Sequence, residues 1–521
     1  MNLIWTLVTT LVLPLALLLI LSNVVTNRRR RLPPGPAAVP LLGNLAWLTI
    51  TDGQQFMATI RRFHKRYGPV ITLRFGSELV VNISDRRFAH AVLVQSGAAV
   101  ADRPFLASLD LLAHNNAFTI TSSNYNAIWR LLRRNFVAKM AQPAQLQLFA
   151  PAREWALADL MDKLRCRKNG GDAILGMFYH TMMCILVSMC FGEWLHERAV
   201  RELTAALREL MMYSVTMLDV FVFVPAITTR VFVGRRRAMD ALRRRLKGIY
   251  LPLINARRER RKRLNEESPT TTFSLSYVDT LLDIRLKDEG NRELTDDEIA
   301  GLCSEFISAG TDLPSSALQW TMAELVKNPA IQDKLYSDIR AITSGGKVSE
   351  ENLQRLPYLK AVVLESLRRH PPAHQLIQHA AAADVELDTY VIPKGATVNF
   401  MVVDFGLDEA AWERPMDFVP ERFMPGGDGE AVDITGTREI KMMPFGAGRR
   451  ICPGIGVATL HLEYLVANLV AAFEWREVEG MEVDVVSEMF EFSAVMEKPL
   501  EVNLVARAER DVNDECRRMQ E

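Results

Sequence analysis

The chain has 521 residues, 49% of them apolar, and its 62 Lys and Arg are matched by 62 Asp and Glu. That balance removes any general electrostatic attraction to nucleic acid or acidic partners, so no nucleic-acid partner is expected. Six cysteines, at 166, 184, 190, 303, 452 and 516, lack the spacing of a disulfide framework and fit a reducing, cytosol-facing compartment.

Length alone would suggest about three domains, but no internal repeat or long low-complexity linker follows residue 50, which suits one large unit. Leu3–Leu21 is free of charge and, at about 1.5 Å per residue, close to the hydrocarbon thickness of a bilayer. A cleavable signal peptide would want a basic start, a shorter apolar run and a small-residue cleavage site. Here nothing basic precedes the run and Arg28–Arg31 follow it, so the chain after Arg28 is expected on the cytosolic side. Residues 1–27 therefore read as an uncleaved signal anchor, one N-terminal transmembrane helix that Pro14 can kink without disqualifying it. Residues 28–50 read as a basic, proline-rich hinge, because Leu32-Pro-Pro-Gly-Pro36 cannot continue a helix. Residues 51–521 form the cytosolic unit.

Gln54–Tyr67 has helical spacing, and Val70–Phe75 with Glu78–Ile83 read as strands of a hairpin around Gly76-Ser77. A helix is expected from about Ala127 to Met140, with Trp129 and Arg133 one turn apart on one face; read alone, this is a basic amphipathic face. Residues 195–265 are mostly helical. Leu218–Pro225 is apolar but too short to span a bilayer, and reads as core or as a lip on a membrane. Arg257–Arg263 reads as a solvated helix end, aided by anionic lipid, and Glu266–Ser276 as a polar loop.

Thr295-Asp-Asp-Glu298 is a capping-box signature that opens a helix running to about Val326. Within it, Ala309 and Gly310 are small enough for a flat ligand to pack on the backbone, and Pro314 predicts a local distortion. Leu356–His370 is a helix stopped by Pro371-Pro372; Glu365 and Arg368 share its face. Taken alone, that pair is surface decoration. Short strands follow at Val385–Leu387, Tyr390–Ile392 and Thr397–Phe400, with a closing strand at Leu500–Val505 and a solvated tail over Arg507–Glu521.

The stretch that organises the chain is Pro444-Phe-Gly-Ala-Gly-Arg-Arg-Ile-Cys-Pro-Gly454. A cysteine is a strong ligand only as thiolate, and the neighbouring Arg449 and Arg450 are expected to favour that form. Gly446, Gly448 and Gly454 allow tight turning and close approach of a flat partner. A helix beginning at Ile455 would aim its N–H groups at the sulfur. An isolated cysteine is by default structural. Zinc is disfavoured, since no CxxC is present and Cys303 and Cys516 are remote.

The pattern Phe445-x-x-Gly448-x-Arg450-x-Cys452-x-Gly454 resembles the haem-binding loop of the cytochrome P450 family, in which one Cys thiolate is the proximal iron ligand. The resemblance implies a heme b (iron protoporphyrin IX) cofactor with Cys452 on the iron, and Phe445, Gly446 and Arg450 as cofactor-binding residues. Trp129 and Arg133 match the pair that meets the haem propionates, where an arginine fork suits a carboxylate. His379 aligns near the haem edge, as a propionate contact or as a surface histidine. Glu365 and Arg368 resemble the family's Glu-x-x-Arg helix, with Arg422 in Phe418–Phe423 as third member of a structural lock. Ala309, Gly310 and Asp312 match the oxygen-binding helix, where Asp312 is implied as entry to a proton relay.

The next position departs. Leu313 stands where the family usually has a threonine, and leucine neither donates nor accepts. That role passes to water, to Thr311, to Ser315 or to a substrate hydroxyl. The hinge and Leu41-Leu-Gly-Asn44 are similar to those of plant microsomal members. The implied fold is mainly α with a smaller β-rich region. The implied activity is a monooxygenase in the endoplasmic reticulum membrane that inserts one oxygen atom from O2 into an organic substrate. Electrons would come from NADPH-cytochrome P450 reductase, docked on the basic face near Cys452. Phe105, Phe221, Phe306 and Leu376 suggest a lipophilic small-molecule substrate, with membrane lipid as a further partner. Leu313 motivates two alternatives: a same-fold enzyme that rearranges or dehydrates an oxygenated substrate without O2, and a catalytically idle haem-binding membrane protein. Asp312 and a haem loop without insertion favour the monooxygenase.

Overall fold

The structure, a computed structural model, describes residues 31–39, 43–44, 53–76, 78–104, 118–167, 173–217, 230–266, 275–343 and 346–507. The expected anchor, most of the hinge, the 218–225 run, Phe105 and Phe221 lie outside the described residues.

Helix α1 (Gly53–Tyr67) lays Met57 and Ile60 on a hairpin of β1 (Val70–Phe75) and β2 (Glu78–Ile83), paired antiparallel from Val70↔Ile83 to Phe75↔Glu78. Helix α2 (Ala127–Phe136) starts where the Asn126 side chain accepts from the Trp129 N–H, and it widens into one π-helical turn over Val137–Ala141. The helical body comprises α3 (Ala150–Arg165), α4 (Ile174–Phe191), α5 (Glu197–Met217), α6 (Val233–Glu266), α7 (Asp296–Lys327), α8 (Pro357–Arg369) and α9 (Ile455–Ala472). Strands β3 (His379–Ala380) and β4 (Thr397–Phe400) complete a sheet of order β1-β2-β4-β3, with β2 and β4 parallel. Two small antiparallel pairs follow: β5 (Phe473–Glu477) with β8 (Val502–Ala506), and β6 (Glu488–Phe490) with β7 (Ala494–Met496). This is a mainly α architecture with a minor β region.

Helices α4 and α9 are each long and apolar enough to cross a membrane, but 83% of α4 and 56% of α9 is buried inside the protein, which makes them core helices. Apolar residues on all sides of a helix mean burial on all sides. Helix α7 runs through the centre: its N-terminal half packs in one apolar cluster with α4, α5 and α6, and its C-terminal half in another with α3, α8 and α9. Its start carries the capping box, with the Thr295 side chain accepting from the Glu298 N–H and Glu298 accepting in return.

Packing bears on four expectations. Helix α7 continues through Pro314, and the Ser315 hydroxyl donates to the Thr311 carbonyl at 2.6 Å. Gly310 lies against α4: a Cβ there would lie 2.7 Å from Leu186 Cδ1. Arg257 is buried against the Asp279 carboxylate at 2.6 Å and is no part of a solvated end. Arg507, expected to begin the tail, is likewise buried and donates to the Val470 and Phe473 carbonyls.

Candidate active site

The loop that carries Cys452 is shaped by two left-handed glycines, Gly446 (φ +73°) and Gly448 (φ +70°). They fold it so that the Cys452 N–H donates to the Phe445 carbonyl at 2.8 Å. The Phe445 ring packs on the core cluster shared by α8 and α9, and Gly446 faces Leu376. Gly448 has the tighter constraint. A Cβ there would sit 2.0 Å from the Leu93 carbonyl oxygen, which is backbone and cannot swing away. Gly448→Ala is therefore expected to cost at least about 2 kcal/mol, combining left-handed strain with displacement of the loop. Urea unfolding and haem stoichiometry of the purified variant would check this.

The Cys452 sulfur is only partly enclosed and accepts from the Gly454 N–H at 3.3 Å, just ahead of α9. Burial raises the thiol pKa, while that N–H and the Arg133 charge pull it down. The supporting cation is thus Arg133 of α2, and the two neighbours in sequence are committed elsewhere. Arg449 donates to the Tyr125 hydroxyl at 2.9 Å. Arg450 donates to the carbonyls of Ala101 (2.7 Å), Ile120 (3.2 Å) and Ser123 (2.5 Å), with its guanidinium 4.5 Å from the centre of the Trp129 ring. Burial pulls the Arg450 pKa down to about 10.

Trp129 and Arg133 do come together beside the loop. The buried Trp129 indole N–H donates to the Ile120 carbonyl at 2.8 Å. Arg133 donates to the Ile451 carbonyl, with its guanidinium 5.4 Å from the Trp129 ring centre. Sequence reasoning missed what holds their partner segment. Glu305 of α7 accepts from the Ile120 N–H (2.9 Å) and the Thr121 N–H (2.5 Å). An acid inside the apolar run Gly301–Ile307 was the available signal.

His379 is buried, which removes the surface alternative. Its Nδ1–H donates to the Val100 carbonyl at 2.8 Å and its ring meets Phe400 edge-on. Burial first, then the nearby Arg103 and Arg450 charges, push its pKa down to about 3, so the ring is neutral. With Nδ1–H spent on Val100, Nε2 is the ring nitrogen left for a further contact. The linkage sign follows. A folded pKa of about 3 against an ordinary 6.5 means that the unfolded chain binds the proton first as pH falls. This contribution to stability is complete above about pH 6.5 and is lost progressively toward about pH 3. In urea unfolding across that window, His379→Gln is expected to show a shallower loss of stability than wild type.

On α7, Ala309 is exposed and Leu313 half-buried. The Thr311 hydroxyl oxygen and Asp312 Oδ2 are buried without a hydrogen-bond partner. Burial raises the Asp312 pKa, a Ser493 hydrogen bond and the Arg208 charge oppose that, and Glu491 adds to it. Phe306 is committed to the core against Tyr277 and Phe136, at 5.0 and 5.7 Å between ring centres. Behind the loop, Arg368 donates to both oxygens of Glu365 at 2.7 and 2.9 Å, and Arg422 donates to Glu365 Oε1 at 3.2 Å.

Among the described residues, no group of three or more His, Cys, Asp or Glu side chains could hold a bare metal ion. A lone, partly buried cysteine in a glycine cradle instead suits a metal that arrives with its other ligands, as porphyrin iron does. The cytochrome P450 sequence profile matches residues 33–504.

The chain belongs to the cytochrome P450 family.

It is 40% identical to cytochrome P450 89A9 of Arabidopsis thaliana, covering 92% of this chain and 94% of that protein. It is 32% identical to a geranylhydroquinone 3''-hydroxylase of Arnebia euchroma, covering 93% and 96%. A zebrafish cytochrome P450 solved with progesterone shares the fold, with a TM-score of 0.71 at 19% identity over 86% of this chain and 99% of that one. The protein is accordingly a haem-thiolate monooxygenase that uses heme b, O2 and NADPH-derived electrons delivered by a reductase. Bound haem supplies oxygen activation; the chain's own residues hold the haem, support the thiolate and move protons.

Proposed function

We propose that this cytochrome P450 inserts one oxygen atom into a lipophilic small molecule, with Cys452 as the proximal ligand of heme b. The observation that carries the reading is the Cys452 loop: a partly accessible sulfur with one N–H bond and the Arg133 charge beside it, in a turn that only glycine permits at Gly448. Arg450, Trp129 and Arg133 form the cofactor-side wall, with Phe445 and Gly446 shaping the loop beneath. Asp312 and Thr311 act on the oxygen-binding side, and Glu365, Arg368 and Arg422 are structural. Leu376, beside Gly446, is a candidate pocket residue. The lipophilic class rests on the apolar candidates and on the relative named as a geranylhydroquinone hydroxylase.

Residues 1–27 act as a single-pass anchor in the endoplasmic reticulum membrane, residues 28–50 as the hinge, and residues 51–521 as the cytosolic catalytic domain in contact with membrane lipid. NADPH-cytochrome P450 reductase docks over the exposed cations Arg130, Arg134, Lys139 and Arg449, near the loop. The test is reconstitution with reductase and a panel of lipophilic substrates under labelled dioxygen. Labelled product formed in proportion to NADPH supports the reading. Product formed without O2 or reductase would sink it.

A further inference from the structure

A carboxylate on α7 grips a turn of chain that belongs to the cofactor side of the site. Glu305 precedes Ala309 by four residues and Asp312 by seven, so it shares their face of the helix. Both of its oxygens are committed: Oε2 accepts from the Ile120 N–H at 2.9 Å and Oε1 from the Thr121 N–H at 2.5 Å. Bonds to an ionised acceptor are roughly twice as strong as neutral ones, and two of them on adjacent N–H groups fix the turn in place as well as in distance. Ile120 is buried, so an N–H left unmet there is costly and the turn would move to satisfy it.

The carbonyls of the same two residues are taken by the wall. The Ile120 oxygen accepts from the Trp129 indole N–H at 2.8 Å and from Arg450 Nη1 at 3.2 Å. The Thr121 oxygen accepts from Arg103 Nε at 2.7 Å, and Arg103 Nη1 goes on to the Ile377 and Gln378 carbonyls, both at 2.8 Å, next in sequence to Leu376. The Ile120 carbonyl and the Thr121 N–H are the two ends of one planar peptide unit. A carboxylate on its N–H end polarises the oxygen at the other end, which strengthens the bonds that Trp129 and Arg450 make to it.

We propose that Glu305 is a positioning residue for the cofactor wall: from α7 it fixes the Ile120–Thr121 peptide whose carbonyls hold Trp129, Arg450 and Arg103. The proposal rests on the reading of Trp129 and Arg450 as haem-side residues. It makes one acid on the oxygen-binding helix the anchor of three groups from three other segments of the chain. The charge matters as well as the shape. A glutamine has a single acceptor oxygen, and its amide would set a donor against the second N–H.

The test compares Glu305→Ala and Glu305→Gln with wild type. In amide hydrogen exchange on the purified protein, without reductase or substrate, Ile120 and Thr121 should both exchange several-fold faster in Glu305→Ala, and one of the two in Glu305→Gln. The ultraviolet resonance Raman band that reports the Trp129 indole hydrogen bond, assigned by its loss in Trp129→Phe, should move toward weaker bonding. The bands of Trp320 and Trp475, bonded to the Ala494 and Leu469 carbonyls, should stay in place, whereas a general loosening of the fold would move all three. Transfer of haem to apomyoglobin should be several-fold faster in both variants. Glu305→Gln, of nearly the same size as the native residue, decides the matter if Glu305→Ala does not fold. Wild-type exchange of both amides in Glu305→Gln overturns the proposal, as does faster exchange with an unmoved Trp129 band and wild-type haem transfer. The exchange and Raman arms need neither haem nor turnover, so their failure is distinct from a wild-type protein that binds no haem, which would sink the cytochrome P450 reading of the site instead.

Discussion

Cys452→Ser is expected to abolish turnover and the thiolate-type ferrous-carbonyl spectrum, while leaving the apoprotein nearly as stable as wild type. Both halves follow from what the sulfur touches. Among the described residues its one hydrogen bond is from the Gly454 N–H at 3.3 Å, and a serine oxygen can accept that bond in its place. What serine cannot supply is a soft, charged sulfur donor to iron, since a hydroxyl stays protonated where a thiol ionises. Paired measurement of urea unfolding and the carbonyl difference spectrum checks the result. Retention of a thiolate-type spectrum would remove Cys452 from the iron.

The largest expected effect on stability comes from Glu365→Ala. The Glu365 and Arg368 side chains have no exposure and Arg422 has 5%, so deleting the carboxylate strands two guanidinium groups away from water. Breaking a buried charge network by removing one partner costs about 3–5 kcal/mol. Several bonds remain: Arg368 still donates to the carbonyls of Gly406, Pro415 and Asp417, and Arg422 to that of Arg414. Those carbonyls explain why the loss has reach. They belong to the segment leading toward the Cys452 loop, and Glu365 also accepts from the Val419 N–H at 2.8 Å. The variant should unfold at lower urea and lose haem in the same transition. Glu365→Gln keeps an acceptor and should lose less. An Ala variant with wild-type stability would mean that the network is dispensable.

Much of this was legible along the chain. The hairpin bounds, the start of α7 at its Thr295 cap, the stop of α8 before Pro371 and the glycine turns around Cys452 rest on interactions spanning a few residues, and composition and spacing report those directly. The resemblance of the Cys452 loop added the cofactor, because a ligand loop must keep its turn chemistry wherever the fold places it.

Side-chain commitments were a different matter. Arg449 and Arg450 are adjacent to the thiol in sequence, yet the charge that supports it comes from Arg133, more than three hundred residues earlier. Gly310 packs against Leu186, Arg257 is buried against Asp279, and His379 is kept neutral by burial and two nearby arginines. The sequence by itself determined the local elements, the thiolate loop and the missing hydroxyl at Leu313. Which cation and which glycine face serve the site was decided by tertiary packing, because burial and charge depend on neighbours in space, and those neighbours lie far apart along the chain.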